Sequence, residues 1–256
     1  MKKVVFFDLD GTLCSGGSLQ VEPEVLTAFE VLRKTEVLPI IATGRSYYEV
    51  AELLDLLKVK NYILSNGCFI RFGEKILQNV GFTPQEIEAI LAIASENQVA
   101  AGYFNQQGFA VSQLSEVVEA HVSYMGITDV PIAPRFYQQN FVNFMNLYLS
   151  EEAEERIYPK IEHLADVVRF APLAIDVLPK KVSKGTAIQR LLKELPSTEL
   201  EIYAFGDQMN DHSMFELADY SVAMKQGSSA LKQQATYVAK TEKGVLEGLK
   251  HYHLLP

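Results

Sequence analysis

Five short apolar runs, separated by segments with helical periodicity, constrain the fold of this chain most. The runs are KVVFFD (3–8), VLPIIAT (37–43), NYILSN (61–66), EIYAFGD (201–207) and YSVAM (220–224). Each is too short for an average helix and is almost continuously apolar, which is typical of parallel strands buried on both faces. Between them lie amphipathic segments such as PEVLTAFEVLRK, SYYEVAELLDLLK and SKGTAIQRLLKEL. This alternation predicts βαβ units and an α/β fold with a Rossmann-like parallel sheet.

The middle of the chain follows a different pattern. Thr83, Pro84 and Glu86 have the types and spacing of a helix N-cap, a first-turn proline and a capping box. Antiparallel strands are indicated by CFIRFGEKILQN, VAAGYFNQQGFAVS, NFVNFMNLYLS and VVRFAPLAIDVL. We therefore predict an α/β core domain from residues 1–81 plus 180–256, with an α+β domain, residues 82–179, inserted into it.

Composition indicates an ordinary globular protein. Apolar residues make up 48% and charged residues 21% of 256 residues. No apolar run approaches the ~20 residues of a membrane span, and the N-terminus reaches Asp8 too soon for a signal-peptide core. Two cysteines, Cys14 and Cys68, provide no disulfide framework. We expect a cytoplasmic protein with no membrane partner.

Charge is spread unevenly along the chain. Residues 82–179 hold 4 Lys/Arg and 13 Asp/Glu and so carry −9, whereas the remainder holds 19 of each and is neutral. A neutral core with an acidic insert argues against nucleic acid as a partner. The simplest explanation of the acidic residues is a set of solvated helix faces, as in SEEAEER at 150–156.

Polar residues follow each predicted strand of the core. They are Asp8-Leu9-Asp10, Thr43-Gly44-Arg45, Ser65-Asn66-Gly67 and Gly206-Asp207, with Asn210 and Asp211 shortly after the last strand. Ligands of α/β sheets gather at the carboxyl ends of the strands. Carboxylates so close together cannot all stay ionised without a cation. Oxygen ligands of this kind suit Mg²⁺, which also contacts substrate phosphates.

The first of these strand ends carries two carboxylates two residues apart. Asp8 and Asp10 can lean toward the same side, so one can attack a substrate while the other moves a proton. Gly11 lets the backbone turn sharply, and the Thr12 hydroxyl is expected to tie that turn together. The pattern therefore indicates a reacting group held next to a magnesium ion.

Over nearly its whole length, the chain resembles the haloacid dehalogenase superfamily, in its Cof-like sugar-phosphatase subfamily. The four motifs that carry the resemblance are DLDGT (8–12), ATGR (42–45), Lys184 in VSKG, and GDQMNDHSM (206–214), supported by SNG (65–67) and VAM (222–224). The inserted residues 82–179 lie between the second and third motifs, where this subfamily has its cap domain. The resemblance implies a Mg²⁺-dependent phosphatase of small phosphorylated metabolites.

The resemblance also implies a role for each matching residue. Asp8 would be the nucleophile that forms an aspartyl-phosphate, and Asp10 the general acid and then the base. Metal contacts are implied for Asp8, the Asp10 backbone carbonyl, Asp207 and Asp211, the last in a supporting position. Phosphate contacts are implied for the Leu9 and Gly44 amides, Thr43, Lys184 and Asn210, with Arg45 as a further substrate contact.

Two positions depart from the subfamily pattern. After VAM the chain has Lys225-Gln226-Gly227 where Gly-Asn-Ala is usual, and Cys68 replaces a common alanine after Asn66-Gly67. Because this loop is expected to lie near the site, the residues Lys225-Gln226-Gly227 are expected to change the hydrogen bonds around it.

Several alternatives stay open at the level of sequence. Arg45 fits a structural ion pair as well as a substrate contact, Asn66-Gly67 fits a plain turn, and Lys184 fits an exposed lysine at a helix start. A phosphomutase or phosphotransferase would pass the phosphoryl group to a second hydroxyl instead of water. A phospho-receiver also gathers aspartates around Mg²⁺, but it has no acid two residues after its phosphoacceptor. A non-catalytic binding protein is the remaining alternative.

Overall fold

The two ends of the chain build one mixed sheet, and the middle builds a second. The computed structural model describes residues 2–14, 18–196 and 199–255. Two units are each held by their own contacts. The core unit comprises Met1–Arg45, Glu49–Gln78 and Ser183–Pro256, and the insert unit comprises Ser46–Tyr48 and Asn79–Val182.

Strands and helices alternate along most of the core unit, and single strands or pairs of strands separate the helices of the insert unit. The described strands are β1 (Lys2–Phe7), β2 (Val37–Ala42), β3 (Asn61–Leu64), β4 (Phe69–Phe72), β5 (Lys75–Asn79), β6 (Ala100–Phe104), β7 (Phe109–Val111), β8 (Phe144–Tyr148), β9 (Ala165–Ala171), β10 (Ala174–Pro179), β11 (Leu200–Gly206), β12 (Tyr220–Ala223) and β13 (Tyr237–Val238). The described α-helices are α1 (Pro23–Leu32), α2 (Tyr47–Leu57), α3 (Pro84–Glu96), α4 (Glu116–Tyr124), α5 (Glu151–Ile161), α6 (Lys184–Leu192), α7 (His212–Phe215), α8 (Ser229–Gln234) and α9 (Gly244–His251).

The core sheet has the strand order β13-β12-β11-β1-β2-β3-β4-β5. Pairs from β13 to β3 are parallel, and β4 returns antiparallel to β3. The parallel strands place their carboxyl ends along one edge, where Asp8, Thr43 and Asp207 follow β1, β2 and β11. The predicted α/β fold class with a Rossmann-like parallel sheet is confirmed.

Apolar side chains on both faces of the core sheet explain the continuous apolar runs. Phe7 packs on one face, with ring centroids 5.1 Å from Phe29 and 4.9 Å from Phe205. Its neighbour Phe6 belongs to a separate buried cluster with Ile188 of α6. Both phenylalanines are fully buried. Successive side chains of a strand point to opposite faces, so a strand covered on both sides must be apolar at every position.

The insert unit is an antiparallel sheet with helices on it. Its five strands have the order β7-β6-β8-β10-β9, and each neighbouring pair is antiparallel. Ile90 of α3 and Ile157 of α5 share a buried cluster with Met145 of β8. The Thr83 side chain accepts a hydrogen bond from the Glu86 amide, and Glu86 accepts one from the Thr83 amide. The predicted capping box at the start of α3 is therefore present.

The lengths of the helices bear on membrane association. Among the residues that the structure describes, no helix combines the length and the apolar character needed to cross a bilayer.

Candidate active site

The carboxyl ends of β1 and β11 bring two aspartates together. These strands are adjacent and parallel, and the Asp8 amide donates to the Phe205 carbonyl at 3.0 Å. Asp211 lies four residues beyond Asp207, in a 3₁₀ turn (Met209–Asp211). One carboxylate oxygen from each of Asp8, Asp207 and Asp211 lies within 4.8 Å of the other two, and all three residues are buried. The predicted carboxylate cluster thus has the spacing of a cation site.

Lys184 is the buried counter-ion of this cluster. It is the first residue of α6, after Ser183, whose side chain accepts from the Thr186 amide. Its Nζ atom lies 2.6 Å from Asp8 Oδ1 and 2.6 Å from Asp211 Oδ1. A cation at a helix N-terminus is disfavoured by the helix dipole, so the two carboxylates must hold it there. Its full burial also excludes the alternative of an ordinary exposed lysine.

Burial and mutual repulsion dominate the electrostatics of the cluster. Burial raises the pKa of Asp8 well above its ordinary value; the Lys184 ammonium opposes this, and the neighbouring carboxylates of Asp211 and Asp207 add to it. Burial and the charge of Asp211 raise the pKa of Asp207 to about 7. Burial would lower the pKa of Lys184, but attraction to Asp211 and Asp8 outweighs it and raises that pKa.

Asp207 carries the observation that tests whether a metal fits. Its Oδ2 atom accepts from the Gln208 side chain at 3.2 Å, while its buried Oδ1 atom has no hydrogen-bond partner among the described residues. Both oxygens of Asp211 are engaged, Oδ1 by Lys184 and Oδ2 by the Asp207 amide at 2.9 Å. An unpartnered buried carboxylate oxygen is costly, and carboxylate oxygens are the ligands that Mg²⁺ takes from proteins. The donor set therefore fits a magnesium ion.

Asp10 is tied to Arg45 rather than to the buried cluster. Arg45 Nε donates to Asp10 Oδ2 at 2.8 Å, and Nη2 donates to Oδ1 at 2.7 Å, so the pair is bidentate. Arg45 Nη1 also approaches Glu49 at 3.5 Å. Burial would lower the pKa of Arg45, yet the Asp10 carboxylate keeps it above the ordinary value. In this structure Arg45 therefore forms ion pairs with Asp10 and Glu49.

The remaining predicted residues gather around Asn66. Thr43 is fully buried after β2, and its hydroxyl accepts from the Arg45 amide at 3.2 Å. The Asn210 side chain donates to Asn66 Oδ1 at 3.2 Å. A Cβ atom added at Gly44 would lie 3.2 Å from the Asn66 side chain. Asn66 therefore links the turn after β2 with the turn after β11.

The turn after Asp10 is closed by its backbone. The Leu9 carbonyl accepts from the Thr12 amide at 3.1 Å and from the Cys14 amide at 2.8 Å. The expectation that the Thr12 hydroxyl ties this turn is wrong, because its buried oxygen has no partner among the described residues. Gly11 has φ +76°, and a Cβ atom there would lie only 2.2 Å from Asp207 Oδ2. Close approach to the cluster, as well as the turn itself, requires glycine here.

Cys14, at the end of the same turn, is not a reactive thiol. Burial, with the nearby Asp10 charge, raises its pKa to about 12. The thiol therefore stays protonated at neutral pH.

Two residues near the site were not predicted as site residues. By sequence Asn66 fits either a plain turn or the SNG motif, and in the structure it is buried and has φ 52°. By sequence Gln226 is only a departure from the subfamily pattern, yet its side-chain amide donates to the Gly11 carbonyl at 2.5 Å. The SNG motif was the available signal for Asn66. No local signal marks Gln226, because its partner lies 215 residues away.

Comparisons with known proteins agree with this geometry. Residues 5–249 match the family described as haloacid dehalogenase-like hydrolase. YkrA of Bacillus subtilis (strain 168) is 29% identical over 99% of this chain and 98% of its own. "Phosphatase YwpJ" of the same organism is 26% identical over 97% of this chain and 99% of its own.

Solved structures show the same similarity. BT1666 from Bacteroides thetaiotaomicron, from a study of phosphatases of this superfamily, has a TM-score of 0.90 and 26% identity, covering 100% of this chain and 96% of its own. The HAD subclass IIB sugar phosphatase BT4131 has a TM-score of 0.86 and 26% identity, covering 99% and 100%. With its four motifs, its buried carboxylate cluster and a family match over residues 5–249, the chain belongs to the haloacid dehalogenase-like hydrolase family, as a phosphatase of the Cof-like type.

Proposed function

We propose that this protein is a Mg²⁺-dependent phosphatase that hydrolyses phosphate monoesters of small metabolites, sugar phosphates or similar, through an aspartyl-phosphate on Asp8. The observation that carries the proposal is the buried group of Asp8, Asp207 and Asp211 around Lys184. A carboxylate nucleophile that is buried beside an ammonium group and a cation site is suited to attack a phosphoryl group, whose transfer needs positioning and positive potential.

In the first step, an Asp8 oxygen attacks phosphorus and the bond from phosphorus to the leaving oxygen breaks. Asp10 gives its proton to that leaving oxygen. In the second step, water attacks the aspartyl-phosphate, Asp10 takes a proton from the water, and phosphate and Asp8 are released. The bidentate contact with Arg45 fixes the carboxyl plane of Asp10 and leaves a second lone pair on each oxygen, which supports the step in which Asp10 takes a proton from water.

The phosphate-binding roles rest on groups around the strand ends. We assign the phosphate oxygens to the Leu9 and Gly44 amides, the Thr43 hydroxyl, the Lys184 ammonium and the Asn210 amide. Lys184 supports this assignment because it supplies a buried positive charge next to Asp8. Arg45 remains a candidate substrate contact in addition to its pair with Asp10.

Magnesium is proposed to be held by Asp8, the Asp10 backbone carbonyl and Asp207, with Asp211 in support. Bound there, the ion would neutralise charge on the phosphoryl oxygens. The partnerless Oδ1 of Asp207 supports this ligand set, as does the position of Asp211, whose oxygens are taken by Lys184 and the Asp207 amide.

The substrate class is proposed from the relatives. BT4131, at 26% identity, is a sugar phosphatase. We propose that residues 1–81 plus 180–256 form the catalytic domain and that residues 82–179 form a cap that selects the substrate. The cytoplasm is the proposed compartment, in keeping with the free thiols of Cys14 and Cys68.

The test is a screen of sugar phosphates, nucleotides and cofactor phosphates for release of inorganic phosphate, with Mg²⁺ and after chelation. We expect turnover to require Mg²⁺. Asp8→Asn preserves shape but removes the attacking charge, so it should lower kcat by roughly 10⁴-fold or more, given how slow uncatalysed phosphate-ester hydrolysis is.

The matched control is Asp55→Asn, an exposed aspartate on α2, which should keep full activity. The aspartyl-phosphate route would be excluded if Asp8→Asn retained more than about a tenth of the wild-type rate, a deficit of only ~1.4 kcal/mol. Transfer of the phosphoryl group to a second hydroxyl with no free phosphate would instead identify a phosphotransferase.

A further inference from the structure

The loop after β12 reaches back to the turn that carries Asp10. In this loop the chain has Lys225-Gln226-Gly227 where the subfamily usually has Gly-Asn-Ala. The Gln226 side-chain amide donates to the Gly11 carbonyl oxygen at 2.5 Å, so it contacts the residue directly after Asp10.

The base of the loop is fixed to the backbone of Asp207. The Ser228 amide donates to the Asp207 carbonyl at 2.8 Å, and the Gly227 amide donates to the Met224 carbonyl at 2.9 Å. A Cβ atom at Gly227 would lie 3.0 Å from the Asp207 carbonyl oxygen, so this position needs a small residue. The Lys225 ammonium is drawn away, to Glu242 at 2.6 Å. The loop that carries Gln226 is therefore held by a hydrogen bond to the backbone of Asp207, a member of the buried cluster.

Gln226 itself is exposed, whereas Gly11, at the other end of the contact, is tightly constrained. Gly11 packs on Asp207 so closely that a Cβ atom would lie 2.2 Å from Oδ2, and its φ of +76° permits few other residues. Its amide donates to the Cys14 carbonyl at 2.9 Å. Once Gln226 also holds its carbonyl, both polar backbone groups of Gly11 are fixed. A shift of Gly11 would move Asp10 relative to Asp8.

We propose that Gln226 is a positioning residue, which bridges the Asp207 loop to the Gly11 carbonyl and thereby keeps Asp10 in line with the substrate's leaving oxygen. This rests on the proposed role of Asp10. A glutamine fits the task because it donates through a neutral amide and is one methylene longer than asparagine. The contact is specific to a side chain that departs from the family pattern.

The test compares Gln226→Met, which keeps length but removes the donor, with Gln226→Glu, which keeps length and places an anion against the carbonyl. Gln233→Met, an exposed glutamine in α8, is the matched control. Each protein is assayed with a sugar phosphate, whose leaving group is poor, and with p-nitrophenyl phosphate, whose leaving group is good. Phosphorylation of Asp8 is followed in single turnovers.

For Gln226→Met we expect the phosphorylation rate with the sugar phosphate to fall by roughly 10- to 100-fold, as small misplacements of catalytic groups do. With p-nitrophenyl phosphate the loss should be less than about 3-fold, because that leaving group scarcely needs a proton. KM and Tm should stay near the wild-type values, and Gln226→Glu should be no more active than Gln226→Met. Gln226→Asn, which keeps the donor on a shorter arm, should lie between wild type and Gln226→Met.

An equal loss for both leaving groups would overturn the inference, as would unchanged rates or a loss explained by a lowered Tm. These outcomes are distinct from a failure of the proposed function. If the wild type released no phosphate, or Asp8→Asn stayed active, the whole assignment would fall. If both behaved as proposed while Gln226→Met matched wild type, only the role of Gln226 would fall.

Discussion

Lys184 sits where an isolated lysine would be unstable, since it is buried at a helix N-terminus. Desolvation and the helix dipole both disfavour its charge. Asp8 and Asp211, each 2.6 Å away, compensate for these costs. The same contacts keep two carboxylates from repelling each other, so Lys184 stabilises the fold as well as serving the proposed chemistry.

Lys184→Met should therefore destabilise the protein strongly. Methionine keeps a similar length but leaves two buried carboxylates without their cation, and breaking a buried ion pair typically costs about 3–5 kcal/mol. Urea unfolding followed by circular dichroism measures the loss. Lys193→Met, at the exposed end of α6, is the control and should change stability by less than about 0.5 kcal/mol. Exposed ion pairs contribute up to about 1 kcal/mol, so a loss of unfolding free energy below that value for Lys184→Met would contradict this account.

His121 is a buried histidine of the insert unit that the proposed chemistry does not use. Its ring lies 5.3 Å from that of Tyr148 and 5.6 Å from that of Phe170, and its buried Nδ1 has no hydrogen-bond partner among the described residues. Burial lowers its pKa from 6.5 to about 4. The folded state therefore favours the neutral ring.

This shift makes stability depend on pH. Between about pH 6.5 and 4 the unfolded chain binds a proton at His121 and the folded one does not, so stability is lost as pH falls through this window. His121→Phe should remove a dependence on the order of 2–3 kcal/mol. Tm at pH 7.5 and at pH 4.5 should differ less in this variant than in wild type. His163→Phe, at an exposed position, is the control. An unchanged difference in Tm would disprove the contribution of His121.

Residues of the site differ in how far sequence could predict them. Asp8, Asp207 and Lys184 stand in motifs at strand ends or at a helix start, so their convergence follows from parallel-sheet topology. Asn66 also stands in a motif at a strand end, but its contacts, like those of Gln226, depend on how turns from distant strands meet. The bond from Gln226 to Gly11 exists only because β12 and β1 both flank β11.

At the scale of elements, the strands with continuous apolar runs were predictable and the shortest elements were not. The apolar runs at 3–8, 37–43 and 201–207 became β1, β2 and β11, since burial on both faces leaves a clear signal. By contrast, β13 has 2 residues and α8 has 6, too few to show any period. Such short elements are stabilised by contacts with other parts of the fold, and a local sequence pattern does not predict those contacts.

The capping box of α3 gives an element-scale prediction. Glu86 Oε2 accepts from the Thr83 amide and from the Thr83 hydroxyl, both at 2.8 Å. Thr83→Ala removes the side-chain half of this arrangement and should cost about 1 kcal/mol, whereas Thr83→Ser should retain most of it. Thr128→Ala, at an exposed threonine of the same unit, serves as the control in urea unfolding. Equal stability of the Ala and Ser variants would show that the cap contributes nothing.

At the scale of the whole molecule, negative charge is in excess. The net charge is −9, and residues 82–179 carry all of it. Of the four basic residues in that segment, Arg169 is engaged by Glu154 at 2.6 Å and by the Ala171 carbonyl at 2.9 Å. The positive charge of Arg169 is therefore largely neutralised by contacts within the insert unit. Arg135 is exposed.

This charge should make the enzyme discriminate against polyanionic substrates. A monophosphate has one dianionic group, which Lys184 and Mg²⁺ are proposed to hold, whereas a second phosphate adds repulsion from the molecule's negative field. We expect a sugar monophosphate to exceed its matched bisphosphate in kcat/KM. The ratio should shrink as ionic strength rises from ~0.01 M to ~0.15 M, because the screening length falls from about 30 Å to about 8 Å.

Glucose 6-phosphate and glucose 1,6-bisphosphate form a suitable pair, with kcat/KM measured at saturating Mg²⁺. The salt series is the internal control, since a preference that comes from shape alone would not respond to ionic strength. A bisphosphate preferred about tenfold, ~1.4 kcal/mol, at physiological salt would contradict the prediction. In that case the acidic residues of 82–179 would lie more than a screening length from the bound substrate and would affect only the solubility of the protein.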